Sequence, residues 1–330
     1  MNLVTGATGH IGNVLVRELL SRGKDVRALI LPGEDRSPLE GLDVDIIEAD
    51  VLDSQALFNA YQGVEDVYHL AGIISIMPGN EPLLKLVNIL GTRNIIQAAR
   101  MTGIRRLVYT SSIHAIRRAP HGVTIDETIP FDPENAISAY DYSKAQASLD
   151  VLQAAHTGLD AVIACPTGVI GPYDFRKSEI GQIILACVQH KPQVYIDGAY
   201  DFVDVRDVAK GLIAANERGR RGETYILSGE QITVRRLLET VWSAIGARLP
   251  TLRIPLHLAR FFTIFTPMYY RLLKLKPRLT KYSIETLLSN SVISHAKAQT
   301  ELGYQPRPIR ETILDTVRWF IENKHRFSPS

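Results

Sequence analysis

The sequence predicts an α/β fold: a doubly wound parallel sheet with a smaller, mostly helical lobe toward the C-terminal end. Three observations carry this. Short apolar runs alternate with helical patterns through the first half of the chain, and parallel strands need crossover connections of that length. A glycine-rich turn, "TGATGHIG", joins the first run to the first helical pattern. After Pro166 the alternation gives way to irregular and mainly helical stretches.

The elements follow in order. "NLVT" reads as a strand, and "IGNVLVRELLSRG" as a helix with a glycine stop. "DVRALIL" and "DVDIIEAD" are strands, "SQALFNAYQG" a helix and "DVYHLAG" a strand. "PLLKLVNILGTRNIIQAARMTG" is one long helical pattern, and "RLVYTSS" a strand. The helix carrying "SAYDYSKAQ" leads to the strand "DAVIACP". Residues 171–193 read as loop plus the helix "SEIGQIILACVQH". "DFVDVRDVAKGLIAAN" and "ETYILSG" read as a helix and a strand that return to the sheet. From about residue 231 the pattern is mostly helical. Right-handed crossovers make this a Rossmann-like fold. Residues 1–170 plus 194–230 are expected to form the dinucleotide-binding domain, and 171–193 plus 231–330 the substrate lobe.

With 330 residues, 45% of them hydrophobic, the chain can build substantial cores. A net charge of +2 without clustered cations argues against a nucleic-acid partner. Two cysteines, Cys165 and Cys187, indicate no disulfide framework. No metal site is expected. The reading opens on "MNLVTGATGHIG" without a basic leader, and no run of eighteen apolar residues occurs. A soluble cytoplasmic protein is expected.

Gly6, Gly9 and Gly12 form a TGxxGxxG arrangement between a strand and an amphipathic helix. Such a turn lets backbone approach a pyrophosphate, and the helix N-terminus adds free N–H groups and the positive end of its dipole. NAD sites usually carry an acid at the end of the second strand. Here that strand ends on Leu29, Ile30 and Leu31, followed by "PGEDRS". Arg36 and Ser37 suit a 2′-phosphate, and Glu34 or Asp35 a bare ribose. The expected cofactor is NADP, with NAD as the alternative.

Tyr140 and Lys144 stand four residues apart, one helical turn. A nearby ammonium favours phenolate, and a tyrosine so tuned can move a proton to or from a substrate oxygen. Ser111 and Ser112, at the end of the fifth strand, offer a hydroxyl for the same oxygen. Taken alone, the pair reads as an ordinary i,i+4 contact.

In this order and spacing the motifs resemble the extended short-chain dehydrogenase/reductases, the NAD-dependent epimerase/dehydratase family. "HLAG", "NILGTRN", "PTGVIGP", "FVDVRDVA" and "ELGYQPRP" extend the resemblance over nearly the whole chain. It implies Tyr140 as the catalytic tyrosine, Lys144 as its tuning lysine and ribose ligand, and Ser112 rather than Ser111 as the catalytic serine. It places the cofactor along Gly6, Thr8, Gly9, His10, Ile11 and Gly12, beside Asp50 and Val51, and past Leu70, Ala71, Gly72 and Asn88. Pro166 and Val169 match a segment beside the nicotinamide. Tyr142 carries no such match. A homodimer through helices at about 83–102 and 139–156 is also implied.

Departures narrow the reaction. Ser112, Ile113 and His114 stand where dehydratases of the family carry a Thr-Asp-Glu run, so the acid–base pair for elimination is missing. "VRALILPGEDRSPLEGLDV" is most similar to the dihydroflavonol-reductase-like branch, near the 3β-hydroxysteroid dehydrogenases, although Leu31 replaces that branch's arginine. The expected activity is NAD(P)-dependent hydride transfer between nicotinamide and a ketone or secondary alcohol on a bulky, hydrophobic small-molecule substrate. The alternatives are a nucleotide-sugar epimerase and a non-catalytic dinucleotide sensor. His114 is a candidate substrate contact or a structural histidine. Residues 240–284 hold no Asp or Glu and eight Lys or Arg among aromatic runs. They are read as a packed helical cap, with a substrate lid or a membrane contact through 253–281 as alternatives.

Overall fold

A computed structural model describes residues 1–75, 79–248, 250–261 and 281–327. Its centre is a seven-stranded sheet of β1 (Asn2–Thr5), β2 (Val26–Ile30), β3 (Asp45–Glu48), β4 (Asp66–His69), β5 (Arg106–Thr110), β6 (Ala161–Pro166) and β10 (Thr224–Leu227). The spatial order is β3-β2-β1-β4-β5-β6-β10, and every neighbouring pair is parallel. Strand order reverses at β1 and β4, whose ends Thr5 and His69 are register partners. Crossovers leave that point toward opposite faces, opening the crevice where doubly wound sheets take ligands.

Two cores cover the sheet. One packs α2 (Ser54–Ala60), α4 (Gly91–Thr102) and α5 (Ala139–His156) through Leu57, Ile95 and Val151. The other packs α1 (His10–Ser21) and α7 (Val205–Arg218) through Leu15, Leu19 and Leu212. Burial on both faces explains why the central strands read as continuous apolar runs. The last helices are α8 (Val234–Ile245), α9 (Lys281–Leu287), α10 (Ala296–Leu302) and α11 (Ile309–Glu322).

The structure departs from the sequence reading in three places. The long pattern before β5 is not one regular helix: α3 (Glu81–Leu84) runs into a π turn over Lys85–Leu90 before α4 begins. A π turn leaves hydrophobic spacing almost unchanged, so periodicity does not reveal it. The stretch from Asp201 read as helix begins as β9 (Ala199–Asp204), and only then becomes α7. Asp204 makes the switch by accepting the Arg206 N–H at 2.7 Å as an N-cap. Finally, β9 pairs with β7 (Gly168–Ile170) and β11 (Glu230–Thr233), and β8 (Gln193–Tyr195) with β12 (Thr251–Arg253), in two small separate sheets. Strands of three to six residues give too few alternations to read.

Of the basic aromatic stretch, Pro267, Arg271, Lys274, Lys276 and Arg278 lie outside the described residues. Among the described residues no helix is long and apolar enough to cross a membrane, and no group of three metal-ligating side chains occurs.

Candidate active site

The crevice is fastened beneath by a buried polar chain. Thr5 Oγ1 accepts the N–H groups of Leu70 at 3.1 Å and Ala71 at 3.0 Å, and meets His69 Nδ1 at 2.8 Å. His69 Nε2 reaches Thr92 Oγ1 at 3.0 Å. Burial, then the Lys144 charge, lower the His69 pKa from 6.5 to about 3, so the ring is neutral. The unfolded chain binds the proton first, so this contribution to stability is whole above pH 6.5 and is lost as pH falls toward 3. The gap in urea midpoint between wild type and His69→Asn is therefore expected to narrow from pH 7 to about pH 4; a constant gap would contradict a buried neutral His69.

The glycine loop follows β1. Gly6 adopts φ +66°, and a Cβ there would lie 2.8 Å from the Ala71 nitrogen. A Cβ on Gly12 would come within 2.1 Å of the Gly6 carbonyl oxygen. Gly9 is the N-cap of α1, and no side chain caps that helix. The first-turn amides, including those of Ile11 and Gly12, thus remain for an anion, and this fits a dinucleotide diphosphate. Thr8 is buried in the loop, and the His10 Nε2 meets the Pro172 carbonyl at 3.0 Å.

The other residues singled out by resemblance gather at the carboxyl ends of the strands. Asp50 and Val51 follow β3; Asp50 accepts the Leu52 N–H at 2.9 Å, and the Val51 carbonyl accepts from Asn94 at 3.0 Å. Leu70, Ala71 and Gly72 run out from β4 beneath the loop. Asn88 enters from the π turn: its Oδ1 accepts the Ile73 N–H at 2.8 Å, and its Nδ2 donates to Ser143 Oγ at 2.9 Å. It thereby ties the segment after β4 to α5. Pro166 ends β6, and Val169 pairs with Val203 of β9. Arg36 is ion-paired to Glu48 of β3. Glu34 instead accepts the Leu31 N–H at 3.1 Å and the guanidinium of Arg176, a residue to which sequence reasoning assigned nothing.

Ser138 caps α5 through the Asp141 N–H at 3.0 Å, and so fixes the turn that carries Tyr140. Tyr140 and Lys144 are both buried. Lys144 Nζ donates to the Thr110 carbonyl at 2.6 Å and lies 4.6 Å from the centre of the Tyr109 ring. Ser112 lies near enough to Tyr140 to lower its pKa, and its Oγ accepts the His114 N–H at 3.2 Å. Ser111 is engaged elsewhere, 2.6 Å from Ser148 Oγ on the next turn of α5. Tyr142 faces away, 5.4 Å beneath the Lys85 ammonium.

Electrostatics differ from the simple pairing expected. Burial pushes the Tyr140 phenol up to about 12, and the nearby Ser112 hydroxyl draws it back only in part. Burial brings Lys144 down to about 7. Desolvation is the leading cause at both residues, because both groups are buried away from water.

Around Tyr140 stands an aromatic wall that sequence reasoning missed, apart from His114. His114 stacks on Tyr200 at 5.9 Å, meets Tyr140 edge-on at 6.5 Å and leans on Tyr282 at 5.9 Å. Its Nε2 lies 2.8 Å from the Tyr200 hydroxyl, and burial holds its pKa below the usual histidine value. Tyr282 donates to buried Asp141 at 2.6 Å, and Arg118 approaches the same carboxylate at 3.8 Å. The wall draws on β9, α9 and the turn after β5, segments with no shared local pattern.

A doubly wound sheet with an uncapped glycine-loop helix at its crevice defines an NAD(P)-binding fold of the oxidoreductase and epimerase type. The chain belongs to the NAD dependent epimerase/dehydratase family, whose model matches residues 2–228. It is 37% identical over 324 residues to sterol demethylase protein B of Methylococcus capsulatus, covering 97% of this chain and 98% of that one. It is 34% identical over 321 residues to a putative dihydroflavonol 4-reductase of Synechocystis, covering 96% and 93%. The UDP-glucose 4-epimerase structure from Thermotoga maritima superposes with a TM-score of 0.82 at 20% identity, covering 98% and 100%, and this shows a common fold. At the level of family and fold these matches stand nearer the epimerase alternative than the hydrophobic-ketone reductase.

Proposed function

We propose that this protein catalyses NAD(P)-dependent, reversible oxidation at a secondary alcohol carbon. The reading rests on the convergence of Tyr140, Ser112 and Lys144 at the end of β5, one strand from the crevice. The nicotinamide cofactor, when bound, supplies the hydride acceptor or donor. Ser112 holds the substrate oxygen, and Tyr140 gives it a proton or takes one. Lys144, braced on Thr110, holds the cofactor ribose and, in its protonated form, sets positive charge beside the phenol. Gly6, Gly9 and Gly12 seat the diphosphate against α1. His114, Tyr200 and Tyr282 face the substrate with aromatic surface, which favours a bulky apolar skeleton; the curated relatives named for a sterol and a flavonoid support that class. Exposed Leu83, Leu86 and Leu90 support pairing of two copies through the helices at 83–102 and 139–156.

A second reading, epimerisation of a sugar, is favoured by the family itself. The two are separated by the fate of the cofactor. A reductase consumes reduced cofactor in proportion to product, whereas an epimerase returns the hydride and consumes none. Following reduced-nicotinamide absorbance with a panel of bulky ketones is expected to show stoichiometric consumption. Epimer formation from nucleotide sugars with no net consumption would replace this reading with the second.

A further inference from the structure

We propose that Arg176 is the ligand for the 2′-phosphate of NADP, and that Glu34 stands in for that phosphate in the free protein. This rests on the cofactor-dependent function proposed above. The Leu31 N–H donates to the Glu34 carboxylate at 3.1 Å, folding the acid back over the end of β2. The adenosine ribose lies at that point in doubly wound folds, and an arginine there takes a 2′-phosphate. Arg176 comes from the loop between β7 and α6 (Glu179–Val188), far along the chain, yet its Nη2 donates to Thr8 Oγ1 at 2.7 Å and to Glu34. One nitrogen thus bridges the glycine loop and the end of the second strand. Nε and Nη1 have no hydrogen-bond acceptor among the described residues, so the guanidinium keeps a face for a second anion.

The loop that delivers Arg176 is anchored for the purpose. The Tyr173 carbonyl accepts from Asn13 of α1 at 3.2 Å, and the Arg17 guanidinium lies 4.6 Å from the centre of the Tyr173 ring. With the His10 contact to Pro172, three residues of α1 hold the loop across the helix's first turns. Tyr173 and Lys177 take left-handed φ values of 67° and 52°, a conformation non-glycine residues adopt at a cost. Asp174 accepts the Ser178 N–H through both oxygens, at 3.0 and 2.9 Å, and closes the loop. Carboxylate and phosphate offer a guanidinium the same forked acceptor. Glu34 is therefore a competitor that NADP displaces from Arg176. Arg36, the cation suggested by sequence, pairs with Glu48 of β3, and no hydrogen bond to the glycine loop is seen for it among the described residues.

The test is a titration of the full chain with NADPH, NADH, 2′,5′-ADP and 5′-ADP, using wild type, Arg176→Gln, Arg176→Lys and Glu34→Gln. Losing a charge-assisted bond predicts that Arg176→Gln weakens NADPH and 2′,5′-ADP about tenfold or more, and NADH and 5′-ADP less than about threefold. Arg176→Lys is expected to recover part of the loss, and Glu34→Gln to tighten NADPH. Equal losses for both cofactors, or none, would overturn the assignment. So would a wild type that prefers NADH and loses that preference in Glu34→Gln. A wild type that binds none of the four ligands overturns the proposed function as well, whereas binding that ignores the variants overturns this assignment alone.

Discussion

Replacing Tyr140 by phenylalanine is expected to lower turnover by about 10²- to 10⁴-fold, the span of a general acid–base group, with dinucleotide affinity within about twofold of wild type. Only one oxygen is removed. The ring stays in its buried place against His114, so packing survives, and Ser112 still accepts the His114 N–H. The loss should therefore fall on kcat, with the thermal midpoint nearly unchanged. Direction of reaction adds a second signature. A phenol near 12 is protonated at neutral pH and ready to donate to a carbonyl oxygen. Alcohol oxidation needs the deprotonated form, so its rate should rise with pH across the neutral and alkaline range. Steady-state rates in both directions, beside a fluorescence titration of cofactor, check this. A phenylalanine variant with wild-type turnover would leave Tyr140 as packing and assign the proton transfer to another group.

Gly12→Val is expected to cost about 1–3 kcal/mol or more in stability, typical of overpacking, and to remove measurable cofactor binding. The reason is backbone, not side chain. A Cβ at position 12 overlaps the Gly6 carbonyl at 2.1 Å, and that carbonyl accepts the Gly9 N–H at 3.0 Å. Relief requires α1 to lift away from β1, or the Gly6 peptide to rotate and break the turn. Either movement spoils the row of amides at the start of α1. Chemical denaturation and cofactor titration of the same sample test both effects. Wild-type affinity in the variant would mean that the loop does not seat the diphosphate.

Much of this architecture was legible because it is local. Strand, glycine turn and helix are contiguous, so the sheet and the loop could be read from "VTGATGHIG" outward. Tyr140 and Lys144 share a helical face by spacing alone. The structure places Ser112 near Tyr140 and turns Ser111 toward Ser148. What could not be read is tertiary. Tyr200, Tyr282 and His114 meet from three separate segments. Arg176 and Glu34 are joined only because the loop after β7 folds back over α1. The upward pKa shift of Tyr140 arises from burial, which spacing does not encode; spacing alone suggested the opposite direction. The small sheets escaped for another reason, since strands of three to six residues are too short to show an alternating pattern.

The last strand of the large sheet also bears on how the protein is made. β6 is complete at Pro166, but its outer neighbour, Thr224–Leu227, is encoded only after β7, α6, β8, β9 and α7. A chain leaving the ribosome therefore carries an open strand edge while all of those residues are added, on the order of ten seconds or less at typical translation rates. The exposed sequence is "AVIACP", apolar and uncharged, the composition most prone to pairing with a foreign strand. Expression yield should thus depend on translation speed between Thr167 and Glu223, and a product cut short in that interval should aggregate instead of folding around the sheet it has already made.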